Sequence, residues 1–183
     1  SQVQAAAAAL NTIHAETTAN VTGTNYTVAQ LKGINDKVGG TITLADSVAV
    51  ALSGSAGDLE DALDGTFAAA HNAEVKVTGN YTVSQLKAIN AGTSGALHLD
   101  DKTVALSGTA ANVKAALAGS FTAGEEHTGV VTISDATNAT VTATDITDIS
   151  TAKPSGNINI TNKVTLSGSG AEVQAAAAAL NTI

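Results

Sequence analysis

Apolar residues recur along this chain in two alternating spacings. The first is helical: Val28, Leu31 and Ile34, and again Val83, Leu86 and Ile89, make narrow stripes three residues apart. The second is a set of short runs rich in β-branched residues and broken by turn residues. These runs are 41–44 then 47–52, 96–99 then 103–106, 130–134 then 139–143, and 157–160 then 163–166. The pattern predicts two short strands and one helix of two or three turns, repeated. Asp100-Asp101-Lys102 and Thr161-Asn162 supply corners where a left-handed conformation is tolerated.

Helix starts can be read from the residues ahead of each stripe. Thr27 with Gln30, Thr82 with Gln85, and Ser169 with Glu172 form capping boxes, in which the hydroxyl and the long polar side chain each take an orphan backbone N–H. Ser55, Thr109 and Asp145 are weaker starts of the same kind. Successive starts lie 28, 27, 27, 36 and 24 residues apart, which sets a unit of about 28 residues. Pro154 stands beyond the fifth of these helices, where a proline is common because it cannot continue the helix. The 36-residue interval predicts a bulged loop at 123–128.

The units are copies of one another. VTGTNYTVAQLKGIN at Val21–Asn35 returns as VTGNYTVSQLKAIN at Val77–Asn90. VALSGSAGDLEDALDG at Val50–Gly65 returns as VALSGTAANVKAALAG at Val104–Gly119, and a diverged third copy begins at Val164. Val3–Ile13 is identical to Val173–Ile183, so residues 1–183 form a single repeat-array segment with a 170-residue period holding three double units. Residues 1–13 duplicate the terminal helix at 171–183. A strand-strand-helix unit of this size buries its apolar side only against another copy. The expected fold is therefore an α/β solenoid of about six stacked coils, with parallel sheets, a row of short helices and right-handed crossovers. Periodicity fixes the unit and not the superhelix, so an α/β sandwich is the alternative.

Composition narrows the chemistry. Charged residues are 13% and aromatic residues 2%, which leaves few side chains to anchor a ligand. A net charge of −8 gives no electrostatic footprint for nucleic acid or an anionic membrane. No apolar run approaches the length of a membrane span, and no signal peptide stands at the N-terminus. The chain reads as a mature or excised fragment. Cysteine is absent, and with it disulfides, thiol nucleophiles and thiolate metal sites.

His14, His71, His98 and His127 fall near multiples of the unit, but no closely spaced pair suggests zinc, and solvated or hydrogen-bonded loop histidines are expected. Glu125-Glu126-His127 is the densest polar group, weighed as a weak cation site and read as solvated. Asp100-Asp101 and Asp145 with Asp148 fit a turn and a cap better than calcium, whose loop motifs are missing. Ser53-Gly54-Ser55 falls where a cap is needed and does not make a nucleophile elbow. Repetition dilutes any unique constellation, so no catalytic, cofactor or metal residue is expected and the chain reads as no enzyme. Tyr26 and Tyr81, and Phe67 and Phe121, occupy matching places and are expected to pack. Sequons at Asn20, Asn25, Asn80, Asn138 and Asn159 are expected by chance in a Thr- and Asn-rich chain, and the matched aromatics are sugar-stacking platforms only as a second reading, which leaves glycans open as partners.

At YTVAQLKGIN, YTVSQLKAIN, VALSGSAGDL and VALSGTAANVKAAL the chain resembles the tandem repeats of giant bacterial cell-surface proteins described as β-strand repeat-containing. The resemblance implies an extracellular or cell-surface array and transfers no site residue. The expected function is a structural module of a filament, sheath, surface layer or adhesin stalk, acting by stiffness and end-to-end stacking on copies of itself. The alternative is a solenoid binding ice or carbohydrate through a Thr-rich face, suggested by Thr41-Ile-Thr43 and Thr140-Val-Thr142.

Overall fold

The computed structural model describes residues 2–9, 14–23, 25–45, 50–153 and 155–181. The described residues form seven helices, α1 (Gln2–Ala9), α2 (Val28–Asn35), α3 (Ala56–Leu63), α4 (Val83–Gly92), α5 (Ala110–Leu117), α6 (Ala143–Ala152) and α7 (Gly170–Ala179), of which α2, α3, α4, α5 and α7 start at the expected caps. The Thr27 and Thr82 hydroxyls accept the backbone N–H of Gln30 and Gln85 at 3.3 Å, and each Gln Oε1 accepts the threonine N–H in return. Ser169 and Glu172 close the third box, and Ser55 and Thr109 cap α3 and α5. The start expected at Asp145 is wrong by one turn. Helix α6 begins at Ala143 with Thr142 in the N-cap position, and Asp145 lies in the first turn, where its negative charge suits the helix N-terminus. The 36 and 24 intervals thereby become 33 and 27. Pro154 lies outside the described residues.

Ten short strands accompany the helices: β1 (Ala19–Val21), β2 (Ile42–Leu44), β3 (Leu52–Ser55), β4 (Val75–Thr78), β5 (Leu97–Leu99), β6 (Leu106–Gly108), β7 (Val131–Ile133), β8 (Thr140–Thr142), β9 (Ile158–Ile160) and β10 (Thr165–Ser167). Strands β1 and β4 were not anticipated, because each is only three or four residues long and merges with the turn before the Tyr motif. The second strand of a pair begins later than expected, by one residue at β8, two at β10 and three at β6. At β6 the reason is local: the Asp101 carboxylate accepts both the Thr103 N–H, at 2.9 Å, and its hydroxyl, at 2.7 Å, so Thr103 belongs to a turn. Of the run 47–52, residues 47–49 lie outside the described residues, and β3 starts at Leu52.

Every strand pair is parallel, and each partner lies 22 to 27 residues further along the chain. The helices recur at 26 to 33 residues. Because the pairing interval is the shorter, each ladder drifts relative to the helices and ends, and a new one begins. The described strands therefore form four sheets, β1-β2, β3-β4-β5, β6-β7-β9 and β10-β8, with no closed barrel. Single parallel bridges extend two of them, Ile42 to Phe67 and Leu97 to Phe121. The segment 123–128 forms no strand, as the interval implied.

The helices pack in chain order, α1 on α2 through to α6 on α7. Beneath them runs one core of Val, Ile, Leu and Ala, with Leu31, Ile34, Leu86, Ile89, Leu97 and Ile133 fully buried. Tyr26 and Tyr81 are buried in it, and Phe67 and Phe121 pack half-buried at its edge. Where strands turn, backbones touch. A Cβ at Gly95 would overlap the Ala73 carbonyl, and one at Gly156, which also has φ +86°, would overlap that of Thr128.

Candidate functional site

The two buried histidines are repeat equivalents, and each faces its own tyrosine. Tyr26 meets His71 edge-on at 6.4 Å between ring centroids, and Tyr81 meets His127 likewise at 6.1 Å. His71 Nε2 lies 2.8 Å from the Val50 carbonyl, and Tyr81 Oη lies 3.0 Å from His127 Nδ1. Burial pushes the His71 pKa down. Burial, and then the positive charge of Lys153, hold that of His127 at about 4 against weaker opposing effects from the Gly129 backbone and Asp101. Burial first, and Asp101 second, push the Tyr81 phenol up. The expectation of loop histidines thus divides. His71 and His127 are buried packing partners, whereas His14 is exposed, its Nδ1 accepting the Glu16 N–H, and His98 sits partly exposed on β5, 3.6 Å from Asp100.

The acidic candidates do not converge. Glu125 pairs with Lys102 at 3.5 Å, while its neighbour His127 points inward to Tyr81. Asp100 pairs with Lys76 at 2.8 Å, Asp101 closes its own turn, and Asp145 and Asp148 both take Lys114, at 2.9 and 2.7 Å. Among the described residues no three His, Asp or Glu side chains are grouped to hold a metal ion. Ser53-Gly54-Ser55 leads β3 into α3, and the Ser55 hydroxyl is spent on the Asp58 N–H. Of the sequon asparagines, Asn20, Asn25, Asn80 and Asn138 are exposed, whereas the Asn159 Oδ1 is buried. Among the described residues no helix is long and apolar enough to cross a membrane.

Surface grooves recur with the double unit. One of about 340 Å³ is lined by Leu63, Gly65, Phe67, Ala88 and Gly92; its counterpart of about 370 Å³ is lined by Leu117, Gly119, Phe121, Glu126 and Ala152. The second groove also includes Asp148, which pairs with Lys114, and Thr151, whose hydroxyl donates to the Thr147 carbonyl. Along the helix row, polar side chains reach from one helix to the next. Lys32 pairs with Asp58 and Asp61 of α3, Lys87 Nζ donates to Asn112 at 2.9 Å, and the Asn35 and Asn90 amides donate to the Asp61 and Ala115 carbonyls.

The remaining irregularity lies at the ends. Leu52 and Leu106 are each 1% exposed, yet their equivalent Leu166 on β10 is only half-buried. Leu59 and Val113 are fully buried, yet their equivalent Val173 on α7 is only half-buried. Among the described strands, β10 pairs only with β8, on its earlier side, and β1 only with β2, on its later side. Sequence reading had placed candidate residues in loops; comparing the burial of matched positions is what directs attention to the ends. The chain matches no protein family, no curated protein and no solved structure.

Proposed function

We propose that the chain is a structural repeat module, a solenoid of about six coils whose role is length, stiffness and end-to-end stacking in an extracellular filament, sheath, surface layer or stalk. The observation that carries this reading is the one-directional order of contacts. Helices pack in chain order, every strand pair is parallel with its partner about one unit on, and Leu166 and Val173 in the last described unit are less covered than their matches Leu52 and Leu106, and Leu59 and Val113. A head-to-tail contact that does not close generates an open fibre. The resemblance to bacterial surface repeats, the low charge and the absence of cysteine support an exported setting. Of the acidic candidates, Asp100, Glu125, Asp145 and Asp148 are paired with lysines and Asp101 closes its own turn.

Sedimentation velocity across a concentration series tests self-association, and helical image analysis of any fibre tests the coil count. Six coils at a strand spacing of roughly 4.8 Å advance about 29 Å per 170-residue period. A rise differing by more than about one such spacing, ~5 Å, contradicts the reading. The ice- or carbohydrate-binding alternative draws on β8 and β10, which present Thr140, Thr142, Thr165 and Ser167 side by side. It is weakened by the longer ladders, whose outward positions read Ser53, Lys76, His98 and Ser107, Thr132, Asn159 instead of a threonine lattice. A thermal-hysteresis assay separates the two.

A further inference from the structure

Helices α1 and α7 share the sequence VQAAAAA, yet they bury different faces. In α1, Ala7 is 6% exposed and Ala6 is exposed; in α7 the matched Ala177 is exposed and Ala176 is fully buried. Helices α3 and α5, whose sequences match α7, bury both positions at once, as Ala62 with Leu63 and Ala116 with Leu117. Each terminal helix is therefore covered on one of the two sides that an interior helix has covered. The face that α7 leaves bare, bearing Gln174 and Ala177, is the face that α1 sets against α2 through Gln4 and Ala7. That seat is shaped for it: Gln4 Nε2 donates to the Ala29 carbonyl at 3.3 Å, and it lies over Gly33, where a Cβ would come within 2.8 Å of Nε2. The matching residue of α4 is Ala88.

The strands agree. At the two interior junctions, LSG at Leu52–Gly54 pairs with Val75–Val77, and LSG at Leu106–Gly108 pairs with Val131–Ile133. The third LSG, Leu166–Gly168, has its later edge without a strand partner among the described residues, and the residues matching Val75–Val77 in the first unit are Ala19–Val21, whose earlier edge is likewise without one. We propose that α7 of one copy takes the seat of α1 on a second copy, while β10 adds to the edge of β1 in the register Leu166 to Ala19, Ser167 to Asn20 and Gly168 to Val21. Residues 1–13 of the second copy are displaced, and residues 171–183 of the first replace them with near-identical side chains. The exchange rests on the stacking reading above and specifies its interface: a helix swap plus strand addition, repeated at every junction.

The absence of cysteine from the chain makes the register directly testable. Full-length Ser167→Cys and Asn20→Cys chains, both altered at exposed strand positions, are mixed and oxidised. Neighbouring strands place matched Cα atoms roughly 5 Å apart, within disulfide reach, whereas Thr165→Cys against Asn20→Cys is a diagonal of about 7–8 Å and cross-links poorly. The same substitution at the two duplicated positions should act in opposite directions. Ala177→Arg places an unpaired charge in the junction and lowers cross-linking by about two orders of magnitude. Ala7→Arg expels α1 from its own seat and raises cross-linking. Association by sedimentation without the 167–20 cross-link, or equal effects of the two arginines, overturns the exchange and leaves stacking intact. Monomers at every concentration overturn both.

Discussion

Lowering the pH from 7 to 5 should destabilise this protein through its buried histidines. His127 is fully buried, and it is faced by Tyr81, Asp101 and Lys153. Desolvation, reinforced by the Lys153 charge, depresses its pKa from about 6.5 in the unfolded chain to about 4 in the fold. A depressed histidine stabilises fully above the unfolded value, and that contribution is lost as pH falls toward the folded value, because only the unfolded chain takes up the proton. The full loss is about 3 kcal/mol, and at pH 5 about 2 kcal/mol is already gone. His71 shifts in the same direction for the same first cause, and it steepens the fall. Asp58, Asp101, Asp145 and Glu172 have lowered pKa values, so what they contribute is present above the ordinary carboxylate range and is lost progressively from about pH 5 downward. The window between pH 6.5 and about 5 therefore belongs to the buried imidazoles. Urea midpoints measured at half-unit steps should fall by about 1 M between pH 7 and 5. His127→Gln, which keeps a polar partner near Tyr81 and cannot titrate, should remove a large part of that slope. A midpoint constant across the interval, or an unchanged slope in the variant, refutes the assignment.

Three further outcomes follow from the same contacts. Thr82→Ala with Gln85→Ala deletes the box that starts α4 and should cost about 1 kcal/mol or more, seen as a lower urea midpoint; an unchanged midpoint would mean the box holds nothing. Gly95→Ala forces a Cβ onto the Ala73 carbonyl and should cost about 1–3 kcal/mol, whereas Gly170→Ala, at the open start of α7, should be neutral or stabilise by up to about 1 kcal/mol; thermal melts that rank them the other way would contradict the backbone geometry. Chelation by EDTA should leave the melting temperature unchanged, because lysines and local donors satisfy the acidic side chains; a large fall would implicate Asp100, Asp101 or the Glu125–Glu126 loop.

What was legible in the sequence is what local chemistry determines. Thr27, Thr82 and Ser169 announced their helices because a cap and its reciprocal Gln or Glu lie three residues apart in any context. Asp145 misled because an acidic residue favours the N-cap and the first turn alike, and only the path of β8 into Thr142 decides between them. Strand ends were less legible. Thr103 looks like a strand residue until the Asp101 carboxylate takes its N–H. The break into four sheets depends on a difference of a few residues between the pairing and helix intervals, which no single unit displays. His71 and His127 are hydrogen-bonded outside the helices and strands, as expected, but the partner of His127 was not legible, because Tyr81 is 46 residues away and meets it only through stacking.

The polar contacts between helices bear on why such a chain would be used at length. Lys32 to Asp58, Lys87 to Asn112 and Lys114 to Asp145 are exposed or partly exposed pairs, each of a kind that contributes little on its own. What they share is direction: each joins one helix to the next, outside the apolar core of Leu, Ile, Val and Ala. Directional donors such as the Asn35 and Asn90 amides, bonded to carbonyls of the following helix at 2.7 and 2.9 Å, limit rotation and sliding between helices. Contacts of this sort fix how far each unit turns relative to its neighbour. Stability in a nearest-neighbour stack grows with the number of interfaces, while the cost of the two uncovered ends stays constant. In the proposed stack, the share of units lacking cover on one side, as α1 and α7 do here, would fall with every unit added.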